Sequence, residues 1–343
     1  MIRRLGHRAL RTADRLVHPG GRGIILLYHR IAADTCDPYG LCVSPAAFEE
    51  HLQAIGAAGR PLSAGAFADA VGRNALPDRS ICITFDDGYA DNVEVAEPLL
   101  ARYDVPATIF VTTGRAGRDR EFWWDELERI FLDTPQLPAT LDLDLGATTL
   151  RRVIDTAAGP DRPAPARSPG WRLLDPVAPS PRHAAFRQAY EALQPLPPDE
   201  RDRAIDALAT WAASDRSVRP ARRAMDPGEV AALDRRGRVE IGAHTVTHPA
   251  LPSQPPHLQR GEIERSKRDL EAWTGHEVAG FAYPYGLYDD SAVAAVRGAG
   301  FRYACSCIFR HVRPGSDVFL LPRIDAPAGD GDAVARLLRR QLA

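Results

Sequence analysis

The sequence has little excess charge and almost no lysine. Lys267 is the one lysine among 43 basic residues, and the formal net charge of the 343-residue chain is −2. A protein whose main partner is nucleic acid needs a strong basic excess, so this balance argues against that class. The richness in arginine, alanine and proline is typical of a genomic composition bias and carries little functional information.

Cysteine and long apolar runs are also scarce. Five cysteines, an odd number in a long chain, do not suggest the disulfide framework of a secreted protein. No apolar run reaches the length of a transmembrane helix, and the basic N-terminus lacks the apolar core of a signal peptide. We therefore expect a cytoplasmic protein. Apolar residues spaced between the N-terminal arginines predict an amphipathic helix, which either contacts the inner membrane peripherally or covers one end of the fold.

Short apolar runs alternate with segments of helical periodicity. Strands are predicted at 23–27, 81–85, 107–111 and 239–243, with helices between them, and a further strand is predicted at 319–321. This alternation is the signature of a parallel sheet or barrel, and the length suits one α/β barrel or two average domains. The alternation stops over 117–226, which contains a proline-rich, loop-like part at 135–181 and helices around it. We predict a single domain over 1–343 that carries 117–226 as an insertion.

Two adjacent carboxylates end the strand at 81–85. Asp86 and Asp87 follow this strand and precede Gly88. If both stayed ionised without a partner, their repulsion and desolvation would be costly, and a bound cation would remove that cost. For an isolated Asp-Asp-Gly, a turn with an N-cap aspartate is the commoner role. Other residues of the chain are needed to distinguish a cation site from such a turn.

Two histidines four residues apart follow the strand at 239–243. On a helical turn this spacing would put His244 and His248 on one face. Neutral imidazole is a common zinc ligand, and two such residues with a carboxylate leave an open coordination position. The spacing alone often arises by chance. Together with the strand-end Asp-Asp it predicts a metal site of two histidines and one aspartate, with a spare carboxylate beside it.

These motifs resemble those of the NodB-homology polysaccharide deacetylases, carbohydrate esterase family 4. TFDDGY at 84–89 matches the first motif of that family, and HTVTH at 244–248 matches the second. FAYPYG at 281–286 looks like the third motif in the branch that includes poly-N-acetylglucosamine deacetylases. The resemblance covers 23–113 and 227–326. It implies a deformed (β/α) barrel of about seven strands, to which our sequence analysis adds a largely helical, proline-rich insertion.

The resemblance also implies the roles of the site residues. Asp87, His244 and His248 would hold a divalent metal, with Zn²⁺ the expected ion, and Asp86 would act as the general base. A backbone N–H near Tyr285 would stabilise the oxyanion. The implied activity is metal-dependent removal of N-acetyl groups from an amino-sugar-containing glycan or glycan precursor.

Two departures from the family pattern lead to further predictions. The late histidine that serves the family as general acid has no counterpart after residue 248, whereas ILLYH at 25–29 looks like that motif moved to the N-terminus. His29 would then be the general acid of a cyclically re-ordered barrel. The arginine that orients the base is replaced by Ala282, and Arg323 is the candidate replacement, with a surface salt bridge as its alternative role.

The insertion and the reaction class both leave alternatives open. Trp123 and Trp124 are candidates for stacking on sugar rings or for packing inside the insertion.

A non-haem Fe(II) oxygenase also uses two histidines and a carboxylate, but it needs no second aspartate beside the ligand. An inactive glycan-binding protein would be favoured only if a ligand or the base were missing. A non-sugar amidase on a similar barrel is the remaining alternative, and the aromatic insertion favours a glycan.

Overall fold

A computed structural model describes residues 21–34, 36–145, 149–154 and 168–342. The predicted N-terminal helix and its membrane contact lie outside these residues. No helix in the described part of the chain is both long and apolar enough to span a membrane.

The centre of the fold is a parallel sheet that curls into a half-barrel. The described residues form twelve strands: β1 (Gly23–Tyr28), β2 (Arg30–Ile31), β3 (Cys42–Val43), β4 (Arg60–Leu62), β5 (Ser80–Phe85), β6 (Ala107–Val111), β7 (Thr140–Asp144), β8 (Thr149–Val153), β9 (Val239–Ala243), β10 (Gly280–Ala282), β11 (Tyr303–Cys305) and β12 (Ile324–Asp325). Seven of them run in the order β11-β10-β9-β6-β5-β1-β12, and β4 pairs with β5. The sheet and its flanking helices confirm the predicted deformed (β/α) barrel.

The first strand of the chain lies next to the last one. β1 pairs in parallel with β5 on one side, with Tyr28 opposite Phe85, and with β12 on the other side, with Leu27 opposite Asp325. The predicted position of this strand inside the barrel is therefore confirmed. Because these strands are parallel, the residues that follow β1, β5 and β12 meet at one edge of the sheet.

Ten α-helices surround the sheet or build the insertion. They are α1 (Pro45–Ala58), α2 (Ala64–Gly72), α3 (Glu97–Tyr103), α4 (Trp123–Glu128), α5 (Pro181–Leu193), α6 (Pro198–Trp211), α7 (Pro227–Arg235), α8 (Pro256–Thr274), α9 (Asp290–Gly298) and α10 (Gly331–Leu342), all within the described ranges. Capping sets several of their starts: the Ser44 side chain accepts the Ala47 N–H at 3.2 Å, and Asp226 forms a capping box with Glu229.

The barrel core and the insertion have separate hydrophobic clusters. β1 and β5 are buried along all six of their residues, as expected for central parallel strands covered on both faces. The insertion packs its own aromatic cluster, which includes Trp123, Trp124, Phe131 and Phe186. Tyr89, which follows the Asp-Asp-Gly motif, belongs to that cluster, so the insertion contacts the barrel beside the site.

Two secondary-structure predictions are wrong. The segment 135–181 was expected to be loop-like, yet it contains the antiparallel hairpin β7–β8. Its alternating leucines, Leu141, Leu143 and Leu150, are buried in the insertion, which explains the hairpin. A strand was also expected at 319–321, where Asp317 instead accepts the backbone N–H of Phe319 and forms a turn; the strand that pairs with β1 lies further on, at β12.

Candidate active site

The predicted site residues meet at the carboxyl edge of the sheet. The backbone N–H of Asp86 donates to the carbonyl of Tyr28 at 3.0 Å, and the N–H of His244 donates to the carbonyl of Val111 at 3.0 Å. These bonds continue the parallel pairing one residue beyond the strands. The two motifs therefore face each other because the register of the sheet brings them together.

Three side chains form a cluster of metal-ligand type. Ligand atoms of Asp87, His244 and His248 lie within 4.8 Å of one another, and all three residues are buried. The Nε2 atoms of both histidines approach the same oxygen, Oδ1 of Asp87, at 3.7 Å for His244 and 3.5 Å for His248. The Nδ1–H of His244 donates to the carbonyl of Ala282 at 2.8 Å. This bond leaves the Nε2 lone pair of His244 directed at the cluster.

The chemistry of these donors fits a divalent cation. Burial lowers the pKa of His244 to about 4 and the pKa of His248 well below its usual value, so both imidazoles are neutral at pH 7, the form that binds metal. Burial, with the charges of Asp86 and Asp125, raises the pKa of Asp87. Within the described residues, Nδ1 of His248 is buried without a hydrogen-bond partner, and its Nε2 is too far from Asp87 for a good hydrogen bond. A cation bound between the Nε2 atoms and Asp87 would offset the cost of burying this carboxylate.

Asp86 is held by a buried arginine. Arg323 donates from Nη1 to Oδ1 of Asp86 at 2.6 Å and from Nη2 to Oδ2 at 2.7 Å, and its Nε–H donates to the carbonyl of Ser306 at 3.1 Å. Burial pushes the pKa of Asp86 upward, but the charge and hydrogen bonds of Arg323 outweigh it, so this pKa lies below its usual value. Arg323 is only 1% exposed. The contact between Arg323 and Asp86 is therefore buried, and the alternative role of Arg323 in a surface salt bridge is wrong.

His29 follows β1 at the same edge. Its carbonyl accepts a hydrogen bond from Asn92 Nδ2 at 2.8 Å. Burial lowers the pKa of His29, while the charges of Asp86 and Asp325 act in the opposite direction. His29 thus follows β1 at the edge where Asp86 follows β5, and its role as general acid stays a prediction.

Aromatic rings enclose His248. The ring of Tyr285 lies 4.5 Å from it and the ring of Trp124 lies 4.7 Å from it, measured between centroids. Trp124 donates from Nε1 to the hydroxyl of Tyr89 at 2.7 Å, and Trp123 donates to the hydroxyl of Tyr285 at 3.3 Å. Trp123 and Trp124 are 1% and 4% exposed. The structure therefore favours packing over sugar stacking for both tryptophans.

The site concentrates unusual backbone conformations. Eight described non-glycine residues have a positive φ angle, and four of them are Asp87 (73°), Thr245 (64°), His248 (56°) and Tyr285 (57°). Such conformations cost free energy and persist where the surroundings fix them, often at functional sites. They also show that the turn between the two histidines is not helical, in contrast to the expectation from their spacing. The side chains converge through an irregular turn.

Two residues that form hydrogen bonds with the backbone of this turn were not predicted from the sequence. Glu262 on α8 accepts the backbone N–H groups of Val246 and Thr247, each at 2.8 Å. Arg201 on α6 donates to the carbonyls of Thr247 and His248 at 2.6 and 3.2 Å. The sequence carries no signal for these contacts, because charged residues on amphipathic helices usually face solvent.

Comparison with known proteins finds a matching family model and a curated relative. A family model described as polysaccharide deacetylase matches residues 73–134 and 204–304, so the interval 135–203 of the insertion is unmatched. The putative polysaccharide deacetylase YxkH of Bacillus subtilis is 29% identical over 108 residues, which are 31% of this chain and 37% of that protein. The match thus spans little more than a third of that relative.

Solved structures share the fold. The deacetylase PplD of Streptococcus pyogenes, in complex with acetate, superposes with a TM-score of 0.57 at 17% identity, over 94% of this chain and 99% of that one. IcaB from Ammonifex degensii gives 0.56 at 16% identity, over 93% and 98%. A de-N-acetylase from Aggregatibacter actinomycetemcomitans gives 0.54 at 16% identity, over 92% and 99%. These structures show the fold, and the matched family model leads to one conclusion: residues 73–134 and 204–304 form a polysaccharide deacetylase domain.

Proposed function

We propose that this protein is a metal-dependent hydrolase that removes N-acetyl groups from an amino sugar in a glycan or glycan precursor. The observation that carries the proposal is the convergence of Asp87, His244 and His248, with the paired carboxylate Asp86 next to them. Two of the similar structures support an acetyl group as the group removed and an N-acetyl bond as the bond cleaved. One is a deacetylase in complex with acetate, and the other is a de-N-acetylase.

The three clustered residues would hold the metal. Asp87 offers a carboxylate oxygen, and His244 and His248 offer Nε2. When bound there, a divalent ion such as Zn²⁺ supplies a water of lowered pKa and polarises the acetamide carbonyl. The bond from His244 Nδ1–H to the Ala282 carbonyl fixes the orientation and tautomer of that ligand.

Asp86 is suited to the role of general base. Its pKa lies below the usual value, so it is ionised at neutral pH and can accept a proton from the attacking water. The two parallel bonds from Arg323 fix the plane of the carboxylate, which limits the directions from which it can accept a proton. Arg323 therefore acts as the positioning residue of the base.

His29 and Tyr285 complete the proposed machinery. His29 would protonate the departing amine; burial lowers its pKa, and the charges of Asp86 and Asp325 act in the opposite direction, toward the protonated form that a general acid needs. The backbone N–H of Tyr285 would donate to the oxygen of the acetamide as it gains that charge. The left-handed conformation of Tyr285 sets the direction of the peptide units on either side of it.

Mass spectrometry of a panel of N-acetylated glycans tests this function. After incubation with metal-loaded protein, we expect one or more glycans to lose an acetyl mass, with acetate in solution, and the Asp86→Asn variant to deacetylate them far more slowly. A panel of non-sugar acetamides in the same assay tests the amidase alternative. Oxygen uptake by anaerobically Fe(II)-loaded protein, without acetate release, would support an oxygenase and contradict the proposal.

A further inference from the structure

The turn that carries both histidines has donors on each of its carbonyls. The first three carbonyls are bound by the barrel: Thr112 Oγ1 donates to His244 at 3.2 Å, and the N–H groups of Thr113 and Gly114 donate to Thr245 and Val246 at 3.1 and 2.7 Å. Gly114 is needed for this approach, because a Cβ there would lie 2.4 Å from the carbonyl oxygen of Val246. The barrel thus fixes the first half of the turn.

The second half of the turn is bound from the insertion. Arg201 donates from Nη2 to the carbonyl of Thr247 at 2.6 Å and from Nη1 to the carbonyl of His248 at 3.2 Å. Its side chain is fully buried, and its guanidinium lies over the ring of Trp123, 5.2 Å from the centroid. Arg201 falls in the interval 135–203 that the family model does not match.

The two hydrogen bonds from Arg201 are made to a backbone segment in an unfavourable conformation. His248 has a φ angle of 56°, a conformation that L side chains rarely adopt. The N–H side of the turn is held by Glu262, and Arg201 holds the carbonyl side of Thr247 and His248. Without Arg201, the buried carbonyl of His248 and the partly buried carbonyl of Thr247 would lose their donors, and the turn could relax by rotating the peptide that sets the direction of the His248 ring.

We propose that Arg201 is a positioning residue of the metal centre, through which the insertion holds His248 in its ligating orientation. This inference rests on the proposed function, because it requires His248 to be a metal ligand. Trp124, also from the insertion, packs its ring 4.7 Å from the same imidazole, so two side chains of the insertion restrain one ligand. The insertion is then part of the metal centre.

Arg182 provides a matched control. It is a buried arginine on α5 of the same insertion and donates to the carbonyls of Phe131 and Thr134. Those carbonyls lie within the insertion, remote in sequence from the histidine turn. Arg182→Met therefore removes a buried arginine and leaves two carbonyls without these donors, as Arg201→Met does, without touching the turn.

The test is Zn²⁺ affinity, measured by competition with a chelating dye, together with the visible absorption spectrum of the Co²⁺-loaded protein. We expect Arg201→Met to weaken Zn²⁺ binding by roughly tenfold to a hundredfold, the usual effect of losing a group that orients a ligand, and to change the Co²⁺ spectrum. Arg182→Met should lower thermal stability and leave both readouts as in the wild type. Should Arg201→Met fail to fold, Arg201→Lys keeps the charge without the two-pronged donor and should weaken binding by about tenfold.

Several outcomes would overturn the inference. One is wild-type affinity and spectrum in both Arg201 variants. Another is an equal loss of affinity in Arg182→Met, which would make the effect one of general stability. A wild-type protein whose Zn²⁺ affinity equals that of His248→Ala would instead contradict the proposed function itself, so the two failures are distinguishable.

Discussion

Replacing Arg323 by methionine should destabilise the protein and displace the pH dependence of its activity. The side chain of Arg323 is 0% exposed and that of Asp86 is 4% exposed, and two hydrogen bonds of 2.6 and 2.7 Å join them. Removing one member of a buried ion pair leaves an uncompensated charge and costs about 3–5 kcal/mol. By contrast, Arg265 and Asp269 are 62% and 31% exposed at 3.8 Å, and Arg265→Met should cost about 0–1 kcal/mol.

The direction in which stability and activity depend on pH follows from the causes of the pKa shift of Asp86. Because Arg323 keeps the pKa of Asp86 below its usual value, the pair contributes stability above the unfolded pKa of about 3.9 and loses it as the pH falls through the folded value. In Arg323→Met the burial of Asp86 is left unopposed by the guanidinium, so the pKa of Asp86 rises. The difference in stability between wild type and variant should therefore be largest near neutral pH and shrink toward acid. The acid limb of the variant's activity should move to higher pH.

Denaturant unfolding of the metal-free protein at several pH values measures this effect. A double-mutant cycle with Asp86→Asn isolates the pair, because the two residues are in direct contact and should show non-additive effects. If Arg323→Met costs no more than Arg265→Met, or if the cycle shows no coupling, the buried pair does not exist in solution. In that case the assignment of Arg323 as the positioning residue of the base is wrong.

Four further substitutions separate the roles of the other site residues. His244→Ala or His248→Ala should abolish stoichiometric metal binding and acetate release while far-UV circular dichroism stays native; metal retained at the wild-type level would remove that histidine from the ligand set. Asp86→Asn should keep the metal and lower turnover by roughly 10² to 10⁴, whereas metal loss would make Asp86 a ligand. His29→Ala should leave metal content unchanged and lower kcat, and an unchanged kcat would show that another group supplies the proton.

The site residues that follow strands could be predicted from the sequence, because apolar runs mark the strands and parallel strands end at one edge of the sheet. Asp86 and His244 each follow a short apolar run, and parallel strands deliver such residues to one edge. A place for the first strand inside the barrel was predicted from a resemblance, and the pairing of β1 with β5 and β12 confirms it. The partner of Asp86 was expected to be Arg323, and the two are in contact.

The insertion was predicted less well, since its contacts depend on partners distant in the chain. The alternation of leucine and aspartate at 140–145 marks a strand, but the surrounding prolines and glycines favoured a loop, and β7 was missed. Aromatic side chains such as Trp124 can face a sugar or a core, and only the fold shows that its ring covers His248. Arg201 reaches the histidine turn across 46 residues of sequence, a contact that helical periodicity cannot predict.

The most direct test of the account is acetate release measured against the amount of metal bound. Protein stripped with a chelator is titrated with Zn²⁺ in the presence of an N-acetylated glycan that the mass-spectrometry panel has identified. We expect the stripped protein to be inactive, the rate to rise until one ion is bound per chain, and His248→Ala to recover no activity. Acetate release by the stripped protein at the rate of the loaded one would contradict it.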